Sequence, residues 1–246
     1  MIVEGDSVGE CWLTLLKKMV DDRVNELSPV QVHIRASSIA LPNVDKLEGD
    51  LDDFLANAGQ PSISTTANTI FPETLAHGAI SVFERFDRIW KYVKKDSKNR
   101  NGHYFRRLTA YGDEYGRKVN QLEHIINTYN GIPGERNPVH RRSALIATTF
   151  DPTLDHTAQP QRGFPCLQQI CLLPNADEGT LWLNAIYAMQ YLSDRAYGNY
   201  IGLMRLGEFM AQEMGLKMSG MTCAVSVLAL GKMKKSEASK IVRKYC

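Results

Sequence analysis

The chain has 246 residues, of which 43% are hydrophobic and 23% are charged, values that are ordinary for a soluble globular protein. This composition excludes collagen-like, low-complexity and intrinsically disordered proteins. The 29 basic and 27 acidic residues give a formal net charge of +2, which is too small to indicate a nucleic-acid coat or a protein held on a membrane surface. We therefore expect neither direct nucleic-acid binding nor membrane association.

Two stretches bear on membrane targeting. The N-terminal region carries Glu4, Asp6 and Glu10 before its first apolar cluster, whereas a secretory signal peptide begins with basic residues. Residues 218–231 form a charge-free stretch that is shorter than the roughly 20 apolar residues of a spanning helix. The sequence predicts neither a leader nor a transmembrane segment.

The cysteines indicate the redox compartment. They form no Cys-x-x-Cys pair and no even-numbered framework, so they predict free thiols, a reducing compartment and no metal site. The five residues are Cys11, Cys166, Cys171, Cys223 and Cys246. We expect a cytoplasmic protein.

Helices are predicted for most of the first half of the chain. Apolar residues at helical spacing predict a helix over residues 10–20, and the alternating residues 30–34 predict a half-buried strand. Two further helices are predicted around residues 47–55 and 79–93. A polar loop at 95–103 precedes a helix from about 118 to 129.

Beyond an exposed loop at 131–138, strands dominate the pattern. They are predicted at residues 143–149, 166–173, 181–190 and 221–230, with a turn at 174–179 that makes the middle two a hairpin. An apolar helix from about 199 to 214 lies between the last two strands. We expect an α+β fold, in which helices pack on a mixed sheet, formed as a single domain over residues 1–246.

Cys166 follows Pro165 at the start of a predicted strand. A cysteine near a strand is most often a small buried apolar residue. Proline, however, fixes the chain that enters the strand, and this favours a thiol presented at the end of the sheet. Cys171 lies five residues further on, so in a regular strand its side chain faces the opposite way.

Two further groups of polar residues have both a structural and a functional interpretation. Arg141 and Arg142 precede a strand, where they form either a solvated pair or an anion site that also lowers the pKa of a nearby thiol. Ser193, Asp194 and Asn199 lie between a strand and a helix, where they serve either as turn and cap residues or as ligand contacts.

Taken in order, five segments form a more specific pattern. They are the YG motif with a basic residue at 115–117, the helix VNQLEHIINTY, the tandem Arg141 and Arg142 leading to TFDPTLD, the PCLQ at 165–168, and the loop with Ser193, Asp194 and Asn199. This order and spacing resemble the thymidylate synthase superfamily, which includes the pyrimidine-nucleotide hydroxymethylases. The resemblance is clearest over residues 110–230.

The resemblance implies an architecture and a nucleophile. The family has a three-layer fold around a large mixed sheet and forms an obligate homodimer through that sheet. By this resemblance Cys166 is the catalytic nucleophile, and Arg141 with Arg142 bind the nucleotide phosphate of the other subunit.

The resemblance also assigns the remaining site residues. Ser193 corresponds to a substrate-binding serine, Asp194 to a residue on the folate side, and Asn199 to the asparagine that reads the pyrimidine edge. Asn199 fits that position only if about three residues are deleted before it, and without a gap Gly202 falls there instead. Tyr115 of the YG motif is expected to bind substrate.

Four polar groups of the family pattern are missing or unplaced. Leu192 replaces the arginine before the loop serine, and Ala229 and Gly231 replace a His-x-Tyr that contacts the ribose. Glu84 is the one candidate for the general base, and the N-terminal phosphate-binding arginine loop is not recognisable. Because no guanidinium near Leu192 replaces the lost one, we expect weak discrimination in favour of a 5′-phosphate.

The resemblance implies a one-carbon transferase acting at C5 of a pyrimidine nucleotide. Methylation or hydroxymethylation would proceed through a Cys166 thiolate adduct at C6, with methylenetetrahydrofolate as the cofactor. One alternative is a protein of the same fold that binds a nucleotide or a protein partner without turnover. The other is an unrelated α+β protein in which Cys166 is structural.

Overall fold

The computed structural model describes residues 1–36, 44–99, 102–112, 118–158 and 164–246. The strands in this part of the chain are β1 (Ile2–Gly5), β2 (Glu26–Leu27), β3 (Val30–Arg35), β4 (Ile146–Thr148), β5 (Leu167–Asn175), β6 (Thr180–Tyr191) and β7 (Lys217–Ala229). The helices are α1 (Val8–Asp21), α2 (Val44–Asn57), α3 (Ile63–Ile70), α4 (Val82–Val93), α5 (Tyr104–Thr109), α6 (Gln121–Asn130), α7 (Pro152–Asp155), α8 (Tyr197–Glu213) and α9 (Lys235–Tyr245). A π-helical turn, Leu192–Ala196, joins β6 to α8.

The strands form one mixed sheet in the order β1-β3-β7-β6-β5-β4, with β2 paired to the end of β7. The outer pair β1 and β3 is parallel, as is the central pair β6 and β7, and the other neighbours are antiparallel. The hairpin of β5 and β6 spans the predicted turn. These pairings confirm the mixed sheet with packed helices that the sequence predicts.

The two faces of the sheet differ in burial. On one face the side chains are fully buried, as Val32, Leu183 and Cys223 show, and α1 and α8 pack against this side. On the other face Ile146 is 41% exposed and Ile186 is 42% exposed. The core therefore lies between the helices and one side of the sheet, and the opposite side is the open face of the sheet.

The central helix α8 packs unusually close to α3. A β-carbon at Gly198 would lie 2.8 Å from the Ile63 carbonyl oxygen, and one at Gly202 would lie 2.7 Å from that of Ala67. Glycine is therefore required at both positions, because a larger residue would push the two helices apart. Through this contact α3 packs along the first turns of α8.

Several elements of the structure begin or end at other residues than predicted, and other elements were not predicted. The predicted strand at 143–149 is reduced to β4, because Arg142–Ala144 forms a 3-10 turn. β1, α3, α5 and α9 are not predicted from the sequence, because they are short or have few apolar residues. Among the described residues, no helix is long and apolar enough to cross a membrane.

The packing of α3 against α8 gives a stability prediction. We expect Gly202→Ala to lower the free energy of unfolding by about 1 to 3 kcal/mol, because its methyl group has no space beside the Ala67 carbonyl. The matched control is Gly49→Ala in α2, where nothing lies within 4 Å and alanine favours the helix by up to about 1 kcal/mol. Urea denaturation of both variants measures the difference. A Gly202→Ala protein as stable as Gly49→Ala would contradict the close packing.

Candidate active site

A cavity of about 1500 Å³ opens at the end of the sheet where β6 and β7 finish. Its walls come from the ends of these strands, the π-helical turn, the start of α8, and parts of α3, α4 and α5. Cys166, Asp194, Arg195 and Asn199 all line it. The chain thus brings the predicted nucleophile and the loop after β6 into one space.

The position of Cys166 is fixed through its backbone. Its N–H donates to the hydroxyl oxygen of Tyr104 at 3.1 Å, and the N–H of Leu167 donates to the same oxygen at 3.3 Å. On the other side, the Cys166 carbonyl accepts a hydrogen bond from Ala188 of β6 at 3.0 Å. Cys166 therefore sits just before β5, held between α5 and β6.

The support for Cys166 extends through α5. The ring of Tyr104 lies 5.0 Å from that of Phe164, and the Arg107 guanidinium stacks 5.3 Å from the same Phe164 ring. Arg107 in turn forms two hydrogen bonds, of 2.9 and 3.0 Å, with the buried carboxylate of Asp155. The two-point geometry of this ion pair holds Arg107 in one orientation.

The thiol of Cys166 is not the low-pKa group that its neighbouring arginines were expected to produce. Burial raises the pKa of Cys166 above its ordinary value, and the Arg195 charge opposes this increase. Arg141 is exposed and does not line the cavity, so in a single chain it does not act on the thiol. The side chain of Arg142 lies outside the described part of the chain.

Arg195 supplies a guanidinium that the sequence analysis missed. It is half-buried and lines the cavity, and in the described part of the chain it has no hydrogen bond or ion pair. Burial lowers the pKa of Arg195, and the nearby Asp194 charge raises it. The cavity therefore has a guanidinium three residues after Leu192, in the same turn, where the sequence indicated none, and the expected weak discrimination in favour of a 5′-phosphate stays a prediction.

Ser193 and Asp194 hold the chain that follows β7. The Ser193 hydroxyl donates to Asp194 Oδ1 at 2.5 Å and accepts from the Met233 N–H at 3.3 Å, and Asp194 Oδ1 also accepts from the Lys232 N–H at 2.9 Å. Asp194 lines the cavity but Ser193 does not. Ser193 is thus placed to orient Asp194, whose Oδ2 has no hydrogen bond in the described chain.

The structure distinguishes between the two positions considered for the pyrimidine-reading asparagine. Asn199 is buried in the first turn of α8 and lines the cavity, and its amide has no partner among the described residues. Gly202 lies against α3 and does not reach the cavity. Asn199 is therefore the better placed of the two. Tyr115 lies outside the described residues.

Three other buried polar groups at the cavity were also missed. They are Thr66 Oγ1, His103 Nδ1 and Gln190 Nε2, none of which has a hydrogen-bond partner in the described structure. Burial lowers the pKa of His103 to about 4, so its imidazole is neutral near pH 7. Each buried polar atom without a partner lowers the free energy of unfolding by about 1 to 3 kcal/mol. No local sequence signal marks them, because their burial depends on the tertiary fold.

Carboxylates are few at the cavity, and Glu84 is not one of them. Glu84 is exposed on α4, where it pairs with Arg88, and it does not line the cavity. The described acidic residues that line the cavity are Glu26, Asp96 and Asp194. Within the described ranges, no group of three or more His, Cys, Asp or Glu side chains is placed to hold a metal ion.

Comparison with known proteins supports the motif analysis. No protein-family model matches the chain. Over 117 residues it is 32% identical to a Methanocaldococcus jannaschii protein named "Putative thymidylate synthase". The chain is similar to thymidylate synthases. The match covers 46% of this chain and 47% of the other protein, so the chain spans about half the length of the curated relative it matches.

Ala229 and Gly231 are the residues that stand where the resemblance places the His-x-Tyr of thymidylate synthases. Ala229 and Gly231 both line the cavity, so this wall offers backbone in place of an imidazole and a phenol. Gly231 has a φ of 93°, and a β-carbon there would lie 2.6 Å from both the Ser193 hydroxyl and Asp194 Oδ1. A side chain is excluded at this position while the turn keeps its contacts with Ser193 and Asp194.

The Arg195 charge can be tested through the reactivity of Cys166. We expect Arg195→Met to slow alkylation of Cys166 by iodoacetamide several-fold near about pH 8, because loss of the positive charge raises the thiol pKa further. The rate-against-pH curve for the Cys166 peptide, followed by mass spectrometry, should shift to higher pH. Arg205→Met is the control, because Arg205 pairs with Glu73 away from the cavity. An unshifted curve in Arg195→Met would show that the charge does not act on the thiol.

Proposed function

We propose that this protein is a one-carbon transferase that acts at C5 of a pyrimidine nucleotide, by methylation or hydroxymethylation. The observation that carries the proposal is the convergence of Cys166, Arg195 and Asn199 on one cavity. A thiol, an unpaired guanidinium and an unpaired amide match covalent addition, anion binding and base recognition. The similarity to a protein named for thymidylate synthesis supports the same chemistry.

Cys166 would perform the covalent step. C5 of a pyrimidine is a poor nucleophile, but a thiolate that adds to C6 moves electron density onto C5 and the oxygen at C4. The S–C6 bond forms as the C5–C6 double bond opens, and the hydrogen at C5 can then exchange with solvent. Arg195 would keep the sulfur ionised and hold an anionic group of the substrate near it.

The cavity has the size and lining for a second ligand. Its volume of about 1500 Å³ exceeds the roughly 300 to 1,000 Å³ of an ordinary ligand pocket. An apolar wall formed by Leu75, Phe86 and Ile89 would accept a flat ring, and the unpaired Oδ2 of Asp194 would accept a ring N–H. These groups fit methylenetetrahydrofolate, which when bound would supply the one-carbon unit.

We also propose that two copies of the chain assemble through the open face of the sheet, in the three-layer arrangement of thymidylate synthases. Ile2, Ile146 and Ile186 expose large apolar side chains on this face, from one edge of the sheet to the other. A surface of this kind favours burial against a partner. Arg141 and Arg142, which adjoin β4, would then complete the site of the partner subunit.

A second candidate function is nucleotide binding without turnover. We propose a cytoplasmic location for both candidate functions. The raised pKa of Cys166 and the lack of polar side chains at Ala229 and Gly231 favour this alternative. The five free cysteines support the cytoplasmic location for either function. Turnover at C5 distinguishes the two functions.

Release of tritium from C5 tests the catalytic proposal directly. We expect the wild-type protein to exchange the C5 hydrogen of a bound pyrimidine nucleotide, and Cys166→Ser to abolish the exchange because the hydroxyl cannot form the adduct. Cys171→Ser is the control and should keep most of the activity, since Cys171 lies on β5 outside the cavity. Equal rates in both variants would disprove the role of Cys166. Binding without any exchange would favour the second function.

The shared site can be tested by mixing two inactive chains. We expect a chain with Arg141→Ala and Arg142→Ala, mixed with a Cys166→Ala chain, to recover part of the C5 exchange, because one site of each mixed dimer has all native groups. With random pairing, half of the dimers are mixed and each has one intact site, so recovery is limited to about a quarter of wild type.

The matched control for this experiment is the mixture of Cys166→Ala with Cys166→Ser, in which no site is intact. Co-purification of two differently tagged chains must show that mixed dimers form, and sedimentation gives the oligomeric state. Verified mixed dimers without activity would contradict the shared site, and a stable monomer at micromolar concentration would contradict the assembly.

A further inference from the structure

Three lysines follow β7 at the mouth of the cavity, in a segment that we call the lysine loop (residues 232–235). Lys232, Lys234 and Lys235 are exposed and all line the cavity. None of them forms an ion pair in the described part of the chain. Glu26 of β2, which pairs with the end of β7, adds one carboxylate to this end of the cavity. The mouth therefore carries a net positive charge.

The backbone of the lysine loop is fixed to the turn that begins the site. The Lys232 N–H donates to Asp194 Oδ1 at 2.9 Å, and the Met233 N–H donates to the Ser193 hydroxyl at 3.3 Å. The side chain of Met233 is buried and anchors the loop in the core. The lysine loop is thus bonded to the same π-helical turn that carries Arg195.

Backbone carbonyls, and not carboxylates, hold two of the ammonium groups. Lys232 Nζ donates to the carbonyl of Ala58, just after α2, at 3.3 Å. Lys235 Nζ donates to the carbonyl of Arg23, just after α1, at 2.7 Å. An ammonium has three N–H donors, so each of these groups has two left for a ligand. A carbonyl restrains a lysine without cancelling its charge, and both charges therefore remain available to an anion.

A chain of phosphates matches this arrangement of charges. Lysine is a compact point charge on a four-carbon stem and a common ligand of phosphate oxygens. Arg195 is half-buried and close enough to Cys166 for its charge to lower the pKa of the thiol, whereas the lysines are exposed at the mouth. An anion that begins at Arg195 and extends outward therefore reaches the lysine loop. One phosphate occupies the first of these groups, and a chain of two or three contacts both.

Resting on the function proposed above, we infer that the substrate is a nucleoside diphosphate or triphosphate whose outer phosphates bind to Lys232, Lys234 and Lys235. The weak discrimination that we expect for a single 5′-phosphate agrees with this inference, because much of the anion recognition then lies on the outer phosphates. Substrate class is thus set at the mouth of the cavity, away from the sulfur.

The anionic end of the second ligand is the other source of negative charge at this mouth. The nucleotide is favoured because the lysine loop is bonded to the turn that carries Arg195. The apolar wall that would accept the flat ring of the second ligand comes from other segments, at Leu75, Phe86 and Ile89. The experiment includes both ligands.

The test compares deoxyuridine monophosphate with the triphosphate by calorimetry, without divalent cations and at constant ionic strength. The ratio of the two dissociation constants is the readout. Wild type should bind the triphosphate about tenfold or more tightly, because the added phosphates gain hydrogen bonds to charged groups. The double variant Lys232→Gln with Lys235→Gln should reduce this preference to about twofold or less, because it removes both restrained charges.

The matched control is Lys217→Gln with Lys240→Gln, which removes two exposed charges that do not line the cavity. Its ratio should equal that of wild type, and an equal fall in both double variants would overturn the inference, since net charge alone would then explain it. Titration of tetrahydrofolate tests the other source. A loss of tetrahydrofolate affinity in the lysine-loop variant, with an unchanged nucleotide ratio, would also overturn the inference.

The failure of this inference is distinguishable from that of the proposed function. If wild type exchanges the C5 hydrogen of deoxyuridylate but binds the monophosphate as tightly as the triphosphate, the inference on the lysine loop fails and the proposed function stands. If wild type binds neither nucleotide and exchanges neither, the proposed function fails and the inference with it.

Discussion

The π-helical turn Leu192–Ala196 determines the geometry of the whole site. Its first carbonyl, at Leu192, accepts a hydrogen bond of 2.8 Å from the indole N–H of Trp12, the largest fully buried side chain. Its Ser193 N–H donates to the Leu230 carbonyl at 2.9 Å. Because the turn is bonded to α1 on one side and to the end of β7 on the other, its position is fixed by the core. It then directs Arg195 into the cavity and begins the helix that carries Asn199.

Burial shifts the pKa values of Cys166 and Arg195 in opposite directions, and in both residues it disfavours the charged form. It raises the pKa of Cys166, which disfavours the thiolate, and lowers the pKa of Arg195, which disfavours the cation. Each charged form is stabilised by the other, so thiolate and guanidinium favour one another. An anionic ligand that approached Arg195 would compete for the same charge. Under the proposed function, a neutral ring at the sulfur would leave this charge pair intact, whereas an anionic group on Arg195 would weaken it.

Some features of this site follow from local sequence and others do not. The helical spacing of α1 and α8 and the hairpin of β5 and β6 depend on nearby residues, and the sequence predicts them. The position of Cys166 at the end of the sheet is also predictable, because Pro165 precedes it and a strand follows. The position of Arg195 at the cavity is not predictable, because a π-helical turn changes which residues of the loop face the cavity. An alignment by position also assigns the family arginine to Leu192. The Gln190 side chain accepts a hydrogen bond from a tyrosine ten residues later on the packed helix, a contact that no local pattern indicates.

The departures from the thymidylate synthase pattern are connected through one turn. Gly231 is required because Ser193 and Asp194 hold the chain after β7 so closely that a β-carbon would collide with both. That requirement leaves this wall of the cavity without a side chain at Gly231. The polar groups left without partners lie on other walls, on α3, before α5 and on β6. At the junction of β6 and α8 the cavity instead offers Arg195, from the π-helical turn, and Asn199, from the first turn of the helix. Because both residues follow β6 directly, the fold places a guanidinium and an amide on a single connection at the cavity that Cys166 also lines.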